Sequence, residues 1–160
     1  MRRSDREIKE FDKMVEVMKQ CDVCRLALND DGYPYILPLN FGMQVNGEEV
    51  VLYFHGATEG TKYSLIEKDN RASFEMDRGH RLLMEEETGN CTMEYESVIG
   101  RGRVQVITDY AGKKEALDIL MAQYHGEDFA YNQAVIQQTT IMKLTVENMT
   151  GKERKVKAKH

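Results

Sequence analysis

The chain of 160 residues lacks any long apolar run, any strong excess of one charge and any proline-rich segment. No window reaches the run of about 18 apolar residues that a membrane span requires, so we expect no membrane partner. The formal charge of −5 argues against general affinity for nucleic acid. Since the only prolines, Pro34 and Pro38, form no linker, we expect a single domain over residues 1–150.

Cysteine is scarce as well, with thiols only at Cys21, Cys24 and Cys91. An odd number of cysteines with no export signal before them argues against a disulfide scaffold and predicts a cytoplasmic location. Cys21 and Cys24 have the CxxC spacing of zinc and thioredoxin-like sites. No second pair exists and Cys24 falls on the apolar side of a predicted strand, so structural thiols are favoured and no metal site is predicted.

The last residues of the sequence are basic but carry no aromatic side chain that could stack on bases. A solvated, flexible tail over residues 151–160 is therefore favoured over an arm that binds nucleic acid.

Hydrophobic periodicity divides the chain into strands joined by short turns and a few helices. Helices are predicted at residues 9–19, 62–68 and 110–124. Six strands are predicted at residues 23–28, 35–45, 49–55, 72–77, 92–108 and 140–146, with a charged loop around residues 85–87. The first strands are joined by turns too short for parallel crossovers. The pattern predicts a mainly β (α+β) fold, a six-stranded antiparallel split barrel with flanking helices.

The segment LYFHGATEGTKYSLI, residues 52–66, combines a strand end, a glycine-flanked turn and a helix start. Such a turn brings together free backbone N–H groups, the positive end of a helix dipole and the ammonium of Lys62, which suits a phosphate. It is not a Walker A loop, because Gly56 and Gly60 enclose only three residues. From the residues alone, an ordinary strand-to-helix connection with a solvated Lys62 remains an equal alternative.

Several segments occur here in a fixed order that resembles the pyridoxamine 5′-phosphate oxidase-like FMN-binding split barrels, and within them the nitroimidazole-resistance (Nim-type) proteins. They are MRRSDREI (1–8), DGYPYILPLNF (31–41), LYFHGATEGTK (52–62), YESVIGRGRV (95–104) and MTGK (149–152). The resemblance implies a homodimer with two FMN sites at the subunit interface, each built from both chains.

The resemblance also implies which residues hold the cofactor. It places Leu37, Pro38, Leu39 and Asn40 on a strand beside the isoalloxazine ring, His55, Gly56 and Ala57 at the end of the next strand, Thr61 and Lys62 at the phosphate, and Ser97 in a segment that approaches the cofactor. Relatives often carry Cys and His where this chain has Gly56 and Thr61. The phosphate is therefore expected to depend more on Lys62 and backbone amides.

His55 is the candidate catalytic residue, because an imidazole that titrates near neutrality can protonate a substrate beside a flavin. Taken alone, a histidine at a strand end is more often structural. The implied function is an FMN-dependent oxidoreductase that passes electrons to a small planar acceptor, such as a nitroaromatic compound. The alternative is a flavin- or haem-binding module for sensing, storage or haem utilisation. Pyridoxamine phosphate oxidation itself is not expected, because the arginine-rich motifs of that enzyme are not evident near residues 35–40.

Overall fold

The computed structural model describes residues 3–125 and 129–155. The strands are β1 (Glu7–Ile8), β2 (Cys24–Asp30), β3 (Tyr33–Leu39), β4 (Gly42–Asn46), β5 (Glu49–Gly56), β6 (Arg71–Glu85), β7 (Asn90–Ile107) and β8 (Thr140–Arg154). The helices are α1 (Phe11–Lys19), α2 (Thr61–Lys68), α3 (Tyr110–Tyr124) and α4 (Gln133–Gln137). None of the helices in these ranges combines the length and hydropathy needed to cross a bilayer.

All strands belong to one antiparallel sheet with the order β3-β2-β6-β7-β8-β5-β4, and β1 pairs with the far end of β8. The two outermost strands, β3 and β4, do not pair with each other, so the sheet curls without closing. This arrangement confirms the predicted split barrel. Over residues 3–125 and 129–155 it has eight strands, however, and the predicted number of six is wrong.

The two additional strands have different origins. The two residues of β1 are too few to show a periodic pattern. The predicted strand over residues 35–45 is two strands, because the backbone leaves the ladder at Asn40 and Phe41. There the N–H of Phe41 donates to the hydroxyl of Tyr124 on α3, at 3.0 Å, and the side chain of Phe41 is fully buried. Anchoring this turn to a helix separates β3 from β4.

The core lies inside the curled sheet and is closed by α1 and α2. Cys24, Leu26 and Leu28 alternate into it as predicted, and the last turn of α2 adds Leu65 and Ile66. A second cluster lies on the other side of β5, where α3 and α4 cover Val51 and Tyr53. Burial on both faces makes β5 the most enclosed strand, and this strand leads into the glycine turn.

Two strands extend further than predicted. β6 continues past Asp77 to Glu85, with a bulge between Arg78 and Arg81, and the predicted charged loop is reduced to the turn at residues 86–89. β8 continues to Arg154, so residues 151–154 are not part of a flexible tail. Gly151 is buried between Ile8 of β1 and Val98 of β7. Residues 156–160 of the predicted tail lie outside the described residues.

Candidate functional site

The turn between β5 and α2 has the geometry of an anion site. Gly60, the N-cap of α2, has φ 144° and ψ 156°, a conformation that L side chains rarely adopt. It offers no side chain to cap the helix, and its carbonyl accepts from the N–H of Tyr63 at 3.1 Å. The first amides of α2 are therefore left for another acceptor at the positive end of the helix dipole.

The ammonium of Lys62 lies inside this turn. A methyl group built on Gly56 would lie 3.4 Å from the Lys62 nitrogen, and one built on Gly60 would lie 3.2 Å from it. No carboxylate among residues 3–125 and 129–155 forms an ion pair with Lys62. An uncompensated cation beside free helix amides fits a phosphate group.

Tyr63 is part of the same structure and was not among the predicted residues. Its ring centroid lies 4.4 Å from the Lys62 nitrogen, and its hydroxyl donates to the carbonyl of Ala57. Burial raises the pKa of the Tyr63 hydroxyl, which keeps it protonated as a donor. The sequence signal for Tyr63 was an aromatic residue directly after the lysine, which no general motif singles out.

His55, the predicted catalytic residue, lies at the end of β5 with its side chain exposed, directly before Gly56. Its backbone pairs with Ile141 of β8, and Gly56 pairs with Thr140. The structure brings five predicted residues around one turn, namely His55, Gly56, Ala57, Thr61 and Lys62. Ala57 is exposed in the same turn, and its carbonyl accepts the Tyr63 hydrogen bond.

The second predicted group lies on β3, an edge strand whose only partner is β2. The side chains of Leu37 and Leu39 point inward and pack against the core, whereas Pro38 is exposed on the outer face. Proline on an edge strand leaves no ladder donor unpaired. The exposed Asn40 uses its side-chain amide to donate to the carbonyl of Asp22, at 3.1 Å, so this amide holds the turn after β3.

The structure does not join all the predicted residues into one pocket. In the described part of the chain, no hydrogen bond or ion pair connects the β3 group with the glycine turn, although both pack against the same core cluster through Leu37 and Tyr63. Ser97 lies in the middle of β7, opposite Asp77 and Lys152, away from both groups. Two surface grooves of about 330 and 430 Å³ contain none of the predicted residues.

The cysteines do not form a reactive site. Cys21 and Cys24 are buried and Cys91 is exposed, and all three are free thiols. Burial raises the pKa of Cys21 to about 11 and that of Cys24 further, opposite to the shift that activates a thiolate. Over the described ranges, no group of three His, Cys, Asp or Glu side chains is arranged to hold a metal ion.

Comparison with known proteins places this geometry in a family. The model of the pyridoxamine 5′-phosphate oxidase family matches residues 11–153, which span β2 to β7, nearly all of β8, the glycine turn and helices α1 to α4. The chain belongs to this family. No relative is found among the curated proteins.

Several solved structures share the fold of this chain. A candidate 5-nitroimidazole antibiotic resistance protein from Bacteroides thetaiotaomicron is 30% identical, with a TM-score of 0.81 over 92% of this chain and 86% of that chain. An FAD and haem binding protein from Mycobacterium smegmatis is 18% identical, with a TM-score of 0.76 over 94% and 74% of the two chains. An FAD-binding protein from Mesorhizobium loti is 20% identical, with a TM-score of 0.65 over 94% and 98%. At 18% and 20% identity, the last two similarities show a shared fold alone.

Proposed function

We propose that this family member binds FMN and acts as an oxidoreductase towards a small planar acceptor. The observation that carries the proposal is the Lys62 ammonium, which lies between Gly56 and Gly60 at the uncapped end of α2 without a carboxylate partner. FMN ends in a dianionic phosphate, which requires such a set of donors. The ring system is proposed to extend from this point towards the edge of β3, which packs against the same core cluster as the turn.

The proposed roles follow from the positions of the residues. Lys62, the first amides of α2 and the hydroxyl of Thr61 bind the phosphate, while Gly56 and Ala57 let it approach the backbone. The edge of β3 from Leu37 to Asn40 lies beside the ring. Ser97 lies on β7 away from both groups, and its proposed role at the cofactor rests on the family resemblance alone. When bound, FMN supplies electron transfer, and the exposed imidazole of His55 delivers a proton to the acceptor.

A nitroaromatic compound is the proposed acceptor class. The support is the relative that is 30% identical, whose described role concerns 5-nitroimidazole resistance. A flat heteroaromatic ring can stack on an open face of the isoalloxazine system, where electron transfer requires contact. We also propose a cytoplasmic location, which is consistent with three cysteines that are all free.

A homodimer is proposed because one chain leaves the site open. Four of the proposed site residues are exposed in the single chain, namely Pro38, His55, Ala57 and Thr61. Proteins normally cover roughly 70–90% of the surface of a bound ligand of this size. The β3 edge and the glycine turn are not joined by direct bonds, so a second surface is needed to enclose a ring between them. A second copy of the chain can supply that surface.

The proposal is tested by the absorption spectrum of the purified protein and by titration. We expect flavin bands, and a Soret band without them would indicate the haem-binding alternative. Lys62→Ala should raise the Kd for FMN by at least about tenfold, because a charge-assisted contact to the phosphate is lost. Lys68→Ala, an exposed lysine in the last turn of the same helix, is the matched control and should leave the Kd unchanged. Equal FMN binding by wild type and Lys62→Ala would refute the assignment.

A further inference from the structure

We propose that Tyr63 is the positioning residue of the phosphate site: its ring holds the Lys62 ammonium in place and its hydroxyl fixes the turn that the ammonium faces. This inference rests on the proposed FMN site. Tyr63 itself is not assigned a contact with the cofactor. It acts through Lys62 and through the backbone at Ala57.

The first step concerns the freedom of the lysine. A lysine side chain has four rotatable bonds, and holding it in one rotamer costs conformational entropy when a ligand binds. No carboxylate in the described ranges restrains Lys62, but the Tyr63 ring does, with 4.4 Å between the nitrogen and the ring centroid. That distance lies within the range of a cation–π contact. The ammonium is therefore positioned before a phosphate arrives, which lowers the cost of binding.

The second step concerns the turn. The Tyr63 hydroxyl donates to the carbonyl of Ala57, which ties the first turn of α2 to the residues just after β5. A methyl group built on Gly56 would lie 2.9 Å from the Tyr63 hydroxyl oxygen and 3.0 Å from Cε of Lys62. Glycine at position 56 thus leaves the space that both side chains use. One residue links the position of the cation to the shape of the backbone around it.

The third step concerns how firmly the Tyr63 ring is held. Tyr63 packs against the main core cluster from the first turn of α2, the helix that also carries Leu65 and Ile66 into the core. A ring that is held by the core is a fixed platform, unlike an exposed aromatic side chain.

The experiment compares FMN with riboflavin, which has the same ring system without the phosphate. We expect Tyr63→Leu to raise the Kd for FMN about tenfold, because both the cation–π contact and the hydrogen bond are lost. Tyr63→Phe keeps the ring and should raise it only about threefold. Neither variant should change the Kd for riboflavin. Both Kd values follow from quenching of flavin fluorescence.

Two controls separate positioning from loss of folding. Thermal unfolding by circular dichroism establishes that each variant is folded at the assay temperature, and Tyr63→Phe, which retains the half-buried ring, serves if Tyr63→Leu unfolds. Tyr110→Leu removes a partly exposed tyrosine at the start of α3 and should leave both Kd values unchanged. An equal loss of FMN and riboflavin affinity in Tyr63→Leu would overturn the inference, because a packing role does not distinguish the two ligands.

A double mutant tests the route through the lysine. In the Lys62→Ala background, Tyr63→Leu should cause at most about a threefold further loss, because the cation that the ring positions is absent. A full tenfold additional loss would show that Tyr63 acts independently of Lys62 and would overturn the inference. If the wild-type protein binds no FMN, the proposed function fails. If the wild type binds FMN and Tyr63→Leu binds it equally well, only the role of Tyr63 fails.

Discussion

Single residues in this protein owe their chemistry to which side of the sheet they face. Cys21 and Cys24 face the core, where desolvation disfavours a thiolate, whereas Cys91 lies on the exposed β6–β7 hairpin. Sulfur chemistry at the CxxC pair would require opening of the barrel. These two thiols are packed in the core, so their ionisation is coupled to unfolding of the protein.

Alkaline pH should destabilise the fold partly through these thiols. The folded-state pKa of Cys21, about 11, lies above its ordinary value of 9.0. The stabilisation is therefore complete below pH 9 and is lost as the pH rises towards 11, because the unfolded state loses its protons first. We expect the free energy of unfolding, measured in urea across this range, to fall less steeply for the double variant Cys21→Ala/Cys24→Ala than for wild type. Cys91→Ala should follow the wild-type slope, and parallel curves for all three proteins would contradict the account.

At the scale of elements, α3 lies in close contact with β4. A methyl group built on Gly42 would lie 2.6 Å from both Cα and the backbone nitrogen of Leu120, so the helix rests directly on the strand. The backbone of α3 cannot move away without uncovering Ala116 and Leu117, which are buried beneath it. This contact also holds the helix that anchors Phe41 and thereby separates β3 from β4.

Gly42→Ala should therefore destabilise the protein by about 1–3 kcal/mol, the usual cost of forcing extra volume into a packed interface. Gly47→Asn is the matched control. Gly47 has a φ of 61° with no atom within 4 Å of the added carbon, and asparagine accepts this conformation. Thermal or urea unfolding should show a clear loss for the first variant and little change for the second. A neutral Gly42→Ala would mean that α3 can shift at no cost.

The elements differ in how well the sequence predicts them. α3 lies at the predicted residues 110–124 because its apolar spacing is regular and Asp109 caps it through the N–H of Gly112. β6 beyond Asp77 was missed because the hairpin arm is exposed on both faces, where no burial imposes alternation. β8 beyond Val146 was missed because its register shifts at a bulge beside polar residues.

Prediction of the candidate site from the sequence meets the same limit, because only its local features could be predicted. A strand, a glycine turn and a helix that carries Lys62 are local features, and the sequence predicted them correctly. The fold of Lys62 back onto Tyr63 and the hydrogen bond to Ala57 depend on where the core holds the helix. Local spacing carries no information about such contacts. The relation between β3 and the turn depends on the curvature of the whole sheet and could not be predicted from either segment.

At the scale of the whole molecule, the outer face of the sheet combines exposed apolar and charged side chains. Ile36 on β3 and Ile99 on β7 are 58% and 54% exposed. The strand register puts both on this face, and the row from Pro38 to Ile99 passes through Arg25 and Glu75, which form an ion pair. Interfaces between proteins mix apolar and charged side chains in this way. This is the surface through which we expect two copies to associate.

The double variant Ile36→Asp/Ile99→Asp should weaken that association by more than about tenfold, because two apolar side chains are replaced by charges that must be desolvated. Sedimentation velocity should show a shift from dimer to monomer, and FMN affinity should fall with it, since the second copy covers the site. Val135→Asp on α4 changes an equally exposed residue, at 51%, outside this face, and should alter neither measurement. A dimer that persists with full FMN affinity would place the interface elsewhere.

The pairing of β8 with β1, β5 and β7 sets the order in which the molecule can be completed. β8 is synthesised after every strand that it joins. One edge of β5 therefore stays unpaired until β8 has been made. Contacts this distant in sequence form slowly, and unpaired strand edges invite association in the meantime. The glycine turn begins at Gly56, whose partner is Thr140 at the beginning of β8. Competence to hold a nucleotide should thus arise only after β8 has been synthesised, and nascent chains should depend on chaperones until then.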